Sequence, residues 1–246
     1  MEELKLLDRS IADLNALRSL LVEKKKSGSP YVTPSPLVVA LDAGHGGINP
    51  EGEYTTYPAK MAEHPFGTVY EGVINRKVVD AIAFELELLG IDYHYLHHEY
   101  SDTALNKRTW KANQLYQKYK VEGRELLTLS IHFNAFRNPK AKGWEVYTSP
   151  GKTGSDPWAE QLYQLTKKTG LFTMRPDTSD GDHDKEARFW MLTRTLGPSI
   201  LSENGFFTNP QEAWKMLHDP TWLREAVTMP HVQMIHAFNQ SLKKAA

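Results

Sequence analysis

Three apolar runs of this sequence each lead to an ionisable group: LVVALDAGH reaches His45, LLTLSIH reaches His132 and SILSE reaches Glu203. Ligands of open α/β sheets bind outside the carboxyl ends of the strands, so these groups are expected to converge there. The chain has no cysteine. That excludes thiol nucleophiles, Cys-ligated zinc and a disulfide framework, and leaves any metal to histidine and carboxylate. Two histidines meeting carboxylates suit a hydrolytic zinc site, with three protein ligands and one position open to water. Such a metal lowers the pKa of water, and a further carboxylate must accept and return the proton. Gly44, Gly46 and Gly47 around His45 strengthen the case, because missing side chains let backbone and substrate approach. The plainer use of Gly46-Gly47 is a tight turn.

Competing clusters are weaker. Asp180, Asp182, His183 and Asp184 form an acidic loop without the closing Glu of a calcium loop, and read as a solvated or substrate-facing segment. His97 and His98 are adjacent on a strand end and face opposite ways, so both cannot be ligands. His64, His94, His218, His231 and His236 have no partner spacing and default to structural roles. Trp144, Trp158, Trp190 and the aromatics of 54–70 could stack on sugar, although core packing is the commoner fate. No phosphate loop, serine nucleophile elbow or dinucleotide fingerprint is present.

The elements that must position these groups follow from periodicity. Leu37–Asp42, Ile91–Leu96, Leu126–Ile131, Trp144–Ser149 and Ser199–Leu201 read as strands. Glu71–Leu89 has helical spacing with Gly90 placed to end it; 104–120 and 158–169 also read as helices. Thr221–Lys243 reads as a closing helix that Pro230 breaks or kinks. Alternating β and α segments predict an α/β domain over 37–246, a mostly parallel sheet covered by helices on both faces. Ahead of it, Leu4, Leu7, Ile11, Leu14 and Leu21 mark an amphipathic helix over 1–25 that either packs back on the domain or self-associates. Residues 26–36, rich in Ser, Gly and Pro, read as a linker.

Composition narrows the partners. Lys+Arg is 29 against Asp+Glu 30, a net charge of −1, which offers nothing to nucleic acid or an anionic membrane. With 40% hydrophobic and 24% charged residues among 246, the chain is an ordinary globular protein large enough for a core without disulfides. No apolar stretch approaches the ~20 residues that span a bilayer. The charged N-terminus does not read as a signal peptide, so the expected location is the cytoplasm until something else lets the chain out.

DAGHGG at 42–47, YEGVINRKV at 70–78, SIHFNA at 130–135 and SENGFFTNP at 202–210 together resemble the zinc-dependent N-acetylmuramoyl-L-alanine amidases of the Amidase_3 type, over about residues 37–241. The resemblance implies a twisted, mostly parallel sheet flanked by helices. It implies Zn2+ held by His45, Glu71 and His132, with Glu203 as catalytic acid/base, and peptidoglycan as the substrate. Read from its own surroundings, Glu71 would sooner complement a helix N-terminus. Asn134 is a candidate for orienting ligand or peptide, its alternative being a hydrogen bond to its own turn. Asp102 and Arg108 are expected to do structural work. Two departures from the family pattern are the long 48–70 insertion, which would line or cover the cleft, and Asn204 after the glutamate. The first expectation is thus a peptidoglycan amidase, most like a phage or prophage endolysin. A zinc peptidase or deacylase acting on another wall amide, and a non-catalytic wall-binding module, are the alternatives.

Overall fold

The structure, a computed structural model, describes residues 34–245; the helix expected over 1–25 and nearly all of the 26–36 linker lie outside them. In chain order the elements are β1 (Leu37–Ala43), the hairpin strands β2 (Met61–His64) and β3 (Gly67–Tyr70), α1 (Glu71–Leu88), β4 (Asp92–Tyr95), α2 (Leu105–Val121), β5 (Glu125–Asn134), β6 (Trp144–Thr148), α3 (Asp156–Thr169), β7 (Lys185–Glu186), the single turn α4 (Trp190–Thr193), β8 (Ser199–Phe206), α5 (Pro210–His218), the short α6 (Pro220–Trp222), a π-helical stretch Leu223–Thr228 and α7 (Met229–Ala245). The main sheet has the order β4-β1-β5-β8-β6-β7. Its first four strands are mutually parallel, β6 runs antiparallel to β8, and β7 runs parallel to β6. The expected α/β class with a mostly parallel, helix-flanked sheet holds.

Every residue of β1 is buried, as continuous apolar runs in parallel strands require. Strand alternation then sorts the sheet into two faces. One carries Val39, Leu41, Leu129, Ile131, Ile200 and Trp144 into the large core, where α1, α3 and α7 add Ile82, Leu162 and Ile235. The other carries Val38, Ala40 and Leu126 against Ala112 and Tyr119 of α2 and Met191 of α4. The paired positions Glu145, Glu203 and His132 lie on this second face, near the carboxyl ends of β5 and β8.

Three expectations gain detail. β5 runs to Asn134 and β8 to Phe206, so His132 and Glu203 stand inside their strands, held by ladder hydrogen bonds. The insertion contributes the β2–β3 hairpin, which feeds directly into α1. Pro230 does not end the closing helix. Its ring would meet the carbonyl of Ala226 in an unbroken α-helix, and the preceding turn widens to a π-helix before α7 continues.

Candidate active site

The loop after β1 is where the chain departs from regular structure. His45 has φ +62, a left-handed conformation that costs a non-glycine residue about 1–3 kcal/mol and persists only where its surroundings impose it. Two buried guanidinium groups impose it here: Arg76 Nη2 at 3.0 Å and Arg108 Nη2 at 2.8 Å both donate to the His45 carbonyl. Arg76 also donates to Gly72, Glu99 and His98 carbonyls, and Arg108 pairs with Asp42 at 2.6 Å. Burial alone would raise the Asp42 carboxyl, but the Arg108 charge and hydrogen bond hold it below the usual carboxylate range. Asn75 donates to the Gly44 carbonyl, and the Gly46 N–H donates to Thr56 Oγ1. The loop's polar backbone is thereby tied down by groups of the chain itself.

Two glycines are steric requirements. A Cβ on Gly44 would lie 2.1 Å from Cε1 of His132, and one on Gly72 would lie 1.8 Å from the Gly46 carbonyl oxygen. The first leaves room for the imidazole, and the second lets the start of α1 press onto the loop. Glu71 is the first residue of α1 and its N–H donates to the Lys60 carbonyl, so hairpin and helix together aim its carboxylate.

That carboxylate meets both histidines. Glu71 Oε2 is 3.2 Å from His45 Nε2, and Oε1 is 3.0 Å from His132 Nδ1. The rings of His45 and His132 stand edge to face, 5.2 Å apart. Ligand atoms of all three lie within 4.8 Å of one another, the one such group among the described residues. Burial would raise Glu71, yet hydrogen bonds from the His132 and His45 rings bring it down to about 2. The donor set, two imidazoles and one ionised carboxylate around a shared point, fits a divalent metal of the zinc kind.

Glu203 faces His132 across the β5–β8 ladder and Glu145 across β8–β6. Its Oε2 is enclosed and has no hydrogen-bond partner. Burial, then the negative charges of Glu71 and Glu145, push its carboxyl well above the usual range. Glu145, by contrast, is fully satisfied. Oε1 accepts from Arg175 Nε and from Lys185 Nζ at 3.0 Å; Oε2 accepts from Tyr147 Oη at 2.5 Å and Asn134 Nδ2 at 3.2 Å. These bonds outweigh burial and keep Glu145 ionised. A cleft of about 490 Å³ opens beside the histidines, lined by Thr55, Tyr57, Asp102 and Leu105.

The structure thus brings His45, Glu71, His132 and Glu203 to one end of the sheet. Asn134 is tied to Glu145 while its Oδ1 accepts from the Ala135 N–H, the local bond weighed as its alternative. Asn204 points to the opposite face, accepting from Trp144 Nε1 at 2.8 Å and donating to the His132 carbonyl; it braces β5, β6 and β8 and leaves Glu203 free. His97 Nδ1 accepts from the Ala43 N–H and His98 Nδ1 from Tyr100 and Ser101, so neither is a ligand. The acidic loop is not simply solvated. Asp184 is 2% exposed and accepts from Thr148 Oγ1, and His183 bonds Glu160 and stacks on Tyr163. The loop folds back over β6, which buries a stretch whose composition is that of a surface. Sequence reasoning missed Asn75, Arg76 and Glu145; the first two sit in the YEGVINRKV motif, and alternation on β6 is the signal that places Glu145.

The family model of N-acetylmuramoyl-L-alanine amidases, Amidase_3, matches residues 39–229. No curated protein matches the chain. Among solved structures, an N-acetylmuramoyl-L-alanine amidase from Clostridium difficile 630 superposes with TM-score 0.66 at 22% identity, covering 85% of this chain and 99% of that one. The amidase Ami1 from Mycobacterium smegmatis gives TM-score 0.64 at 20% identity, covering 85% and 99%. The catalytic domain of the CD27L endolysin, which targets Clostridium difficile, gives 0.54 at 17%, covering 81% and 97%. At these identities the structural likeness speaks for the fold, and the family match, spanning most of the chain and all four motifs, speaks for the chemistry. This chain belongs to the Amidase_3 family of N-acetylmuramoyl-L-alanine amidases.

Proposed function

We propose that the chain is a zinc-dependent amidase that cuts the amide between the lactyl group of N-acetylmuramic acid and L-alanine of peptidoglycan. The observation that carries this reading is the convergence of His45, Glu71 and His132 within 4.8 Å, with Glu203 in register with His132 on the next strand. His45, Glu71 and His132 would hold Zn2+, which supplies, when bound, a Lewis acid for the scissile carbonyl and a lowered pKa for water. Everything else belongs to the chain. The paired arginines fix the His45 backbone, and Gly44 leaves the His132 ring its place. Glu203 accepts the proton of the attacking water and delivers it to the departing amine of alanine. Its raised pKa, caused first by burial and then by the negative charges of Glu71 and Glu145, favours the delivery. The open cleft beside the histidines gives the substrate access.

End-group analysis of peptidoglycan digested by the zinc-loaded protein tests the bond. New free amino groups on L-alanine without new reducing sugar ends are expected. Amines appearing on other stem residues would replace this reading with a peptidase on the same fold. Sedimentation with the wall and no new ends would replace it with a binding module. Within the amidase reading, the biological setting we propose is an endolysin, in keeping with the fold shared with the CD27L catalytic domain; lysis of host cells on co-expression with a pore-forming partner is the matching test.

A further inference from the structure

A row of polar groups crosses the catalytic face of the sheet. From His132 on β5 the register passes to Glu203 on β8 and Glu145 on β6. Beyond Glu145 the sheet edge is built by Met174, which bridges Trp144, and by β7, where Lys185 pairs with Tyr147. Arg175 and Lys185 reach from that edge onto a single oxygen of Glu145. Two cations thus meet on one buried carboxylate, and the exposed Asp177 also lies within electrostatic reach of Lys185.

Both cations keep donors in reserve. Among the described residues the Arg175 side chain makes one hydrogen bond, through Nε to Glu145, and lies over the Phe206 ring, 5.2 Å from its centre. A guanidinium has five N–H donors and an ammonium three, so both Arg175 terminal nitrogens and two of the Lys185 protons are uncommitted. The Arg175 side chain is 41% exposed and that of Lys185 25%, whereas Glu145 beneath them is 3% exposed. Glu145 therefore acts as a buried anchor that presents two oriented cations to solvent. The other side of the metal ligands is different in character. There the cleft is lined by the hydroxyls of Thr55 and Tyr57 and by Asp42, Asp102 and Arg108, which pair with one another, a wall that offers hydroxyls to a neutral sugar and whose arginine is spent on its own carboxylates and carbonyls.

We propose that Arg175 and Lys185, anchored on Glu145, form a subsite for a carboxylate of the stem peptide, so that the peptide leaves the scissile bond toward β6 and β7 while the glycan occupies the cleft on the β1 side. This rests on the amidase reading and adds to it a polarity of substrate binding and a preference for acidic peptides.

The test compares two soluble muramoyl-L-alanyl peptides that differ at the residue after alanine, one with a free carboxylate and one with that carboxylate amidated, using the full chain loaded with Zn2+. Wild type is expected to favour the acid in kcat/KM by about tenfold or more, mainly through KM. Lys185→Gln and Arg175→Gln, each able to keep a bond to Glu145, should bring the acid-to-amide ratio toward one. A wild-type ratio of one overturns the subsite. So does a fall in kcat on both peptides with the ratio preserved, which would mean that the cations serve only Glu145. If neither peptide is cut, the amidase reading fails, and calorimetric binding decides the subsite separately. Tighter binding of the acid that Lys185→Gln abolishes upholds it, and equal binding of the two peptides removes it.

Discussion

The site works through side chains whose surroundings set them apart. Glu71 and Glu203 are both carboxylates near the same two histidines, yet Glu71 is held at about 2 by hydrogen bonds from both rings while Glu203, with one oxygen unpartnered, is pushed up. Carboxyls whose environments drive them apart divide into ligand and proton carrier. Glu203→Gln keeps the shape and removes the proposed proton carrier, so metal content by atomic absorption should stay at one equivalent while kcat falls roughly 10²- to 10⁴-fold; a fully active variant would remove Glu203 from the mechanism. Gly44→Ala probes the same geometry from the other side. Gly44 is not in a left-handed conformation, so alanine is tolerated by the backbone and only the overlap with the His132 ring matters. The ring must turn away, at a cost of about 1–3 kcal/mol in stability and a loss of roughly 10- to 100-fold in metal affinity. Unchanged metal binding in a competition titration would show that the His132 ring is not needed where it stands. The four central residues were legible because each lies in a recognisable motif, although only Glu71 opens an element while His132 and Glu203 stand inside their strands. Glu145 was not, since a glutamate in WEVYTS gives no sign locally of which side chains the 174–185 segment will bring over it.

At the level of elements, strands dense in apolar residues were legible and edges were not. LVVALDA and LLTLSI are buried on both faces, and such runs have few other fates. The two-residue β7 and the four-residue hairpin strands carry mixed sequence and exist because neighbours supply the ladder. The acidic loop before β7 shows how position overrides composition. Asp184 is enclosed at the end of β6, and burial, together with a hydrogen bond and charge from Asp182, raises it to about 7 despite its bond from Thr148. The folded protein therefore keeps a proton that the unfolded chain, with an Asp near 3.8, has already released. Stability from this group is fully present below about pH 4 and is lost as pH rises through 7. Asp184→Asn should accordingly match wild type near pH 4 and exceed it at pH 8 by up to about 4 kcal/mol in urea unfolding. A difference that does not change with pH would mean that Asp184 is already ionised in the folded protein. The same loop carries Lys185, so locking it against β6 also locks one wall of the proposed subsite.

Over the described molecule, the larger core and the row of His132, Glu203 and Glu145 occupy opposite faces of one sheet, and Glu71 reaches the row from the first turn of α1. The larger core packs α1, α3 and α7 on the face turned away from the catalytic row, and none of its members is a metal ligand. The ligand loop is fixed by Arg76, Arg108, Asn75 and Thr56, all of them groups of the chain itself. Glu71 also takes hydrogen bonds from His45 and His132, so the three side chains of the proposed metal site brace one another directly. These observations separate this protein from small metal-dependent domains, in which binding free energy is folding free energy. Chelation is thus expected to abolish hydrolysis while leaving near-ultraviolet circular dichroism intact. The melting temperature should fall only by the linkage of ligand to the folded state, about 4 kcal/mol at a free metal concentration a thousand times Kd. Returning Zn2+ to the chelated protein should restore activity within mixing and binding time, without a refolding phase. Loss of the near-ultraviolet signal on chelation would show instead that the metal holds the carboxyl ends of β1 and β5 together, and that the arginine-braced loop is a consequence of metal binding and not its preparation.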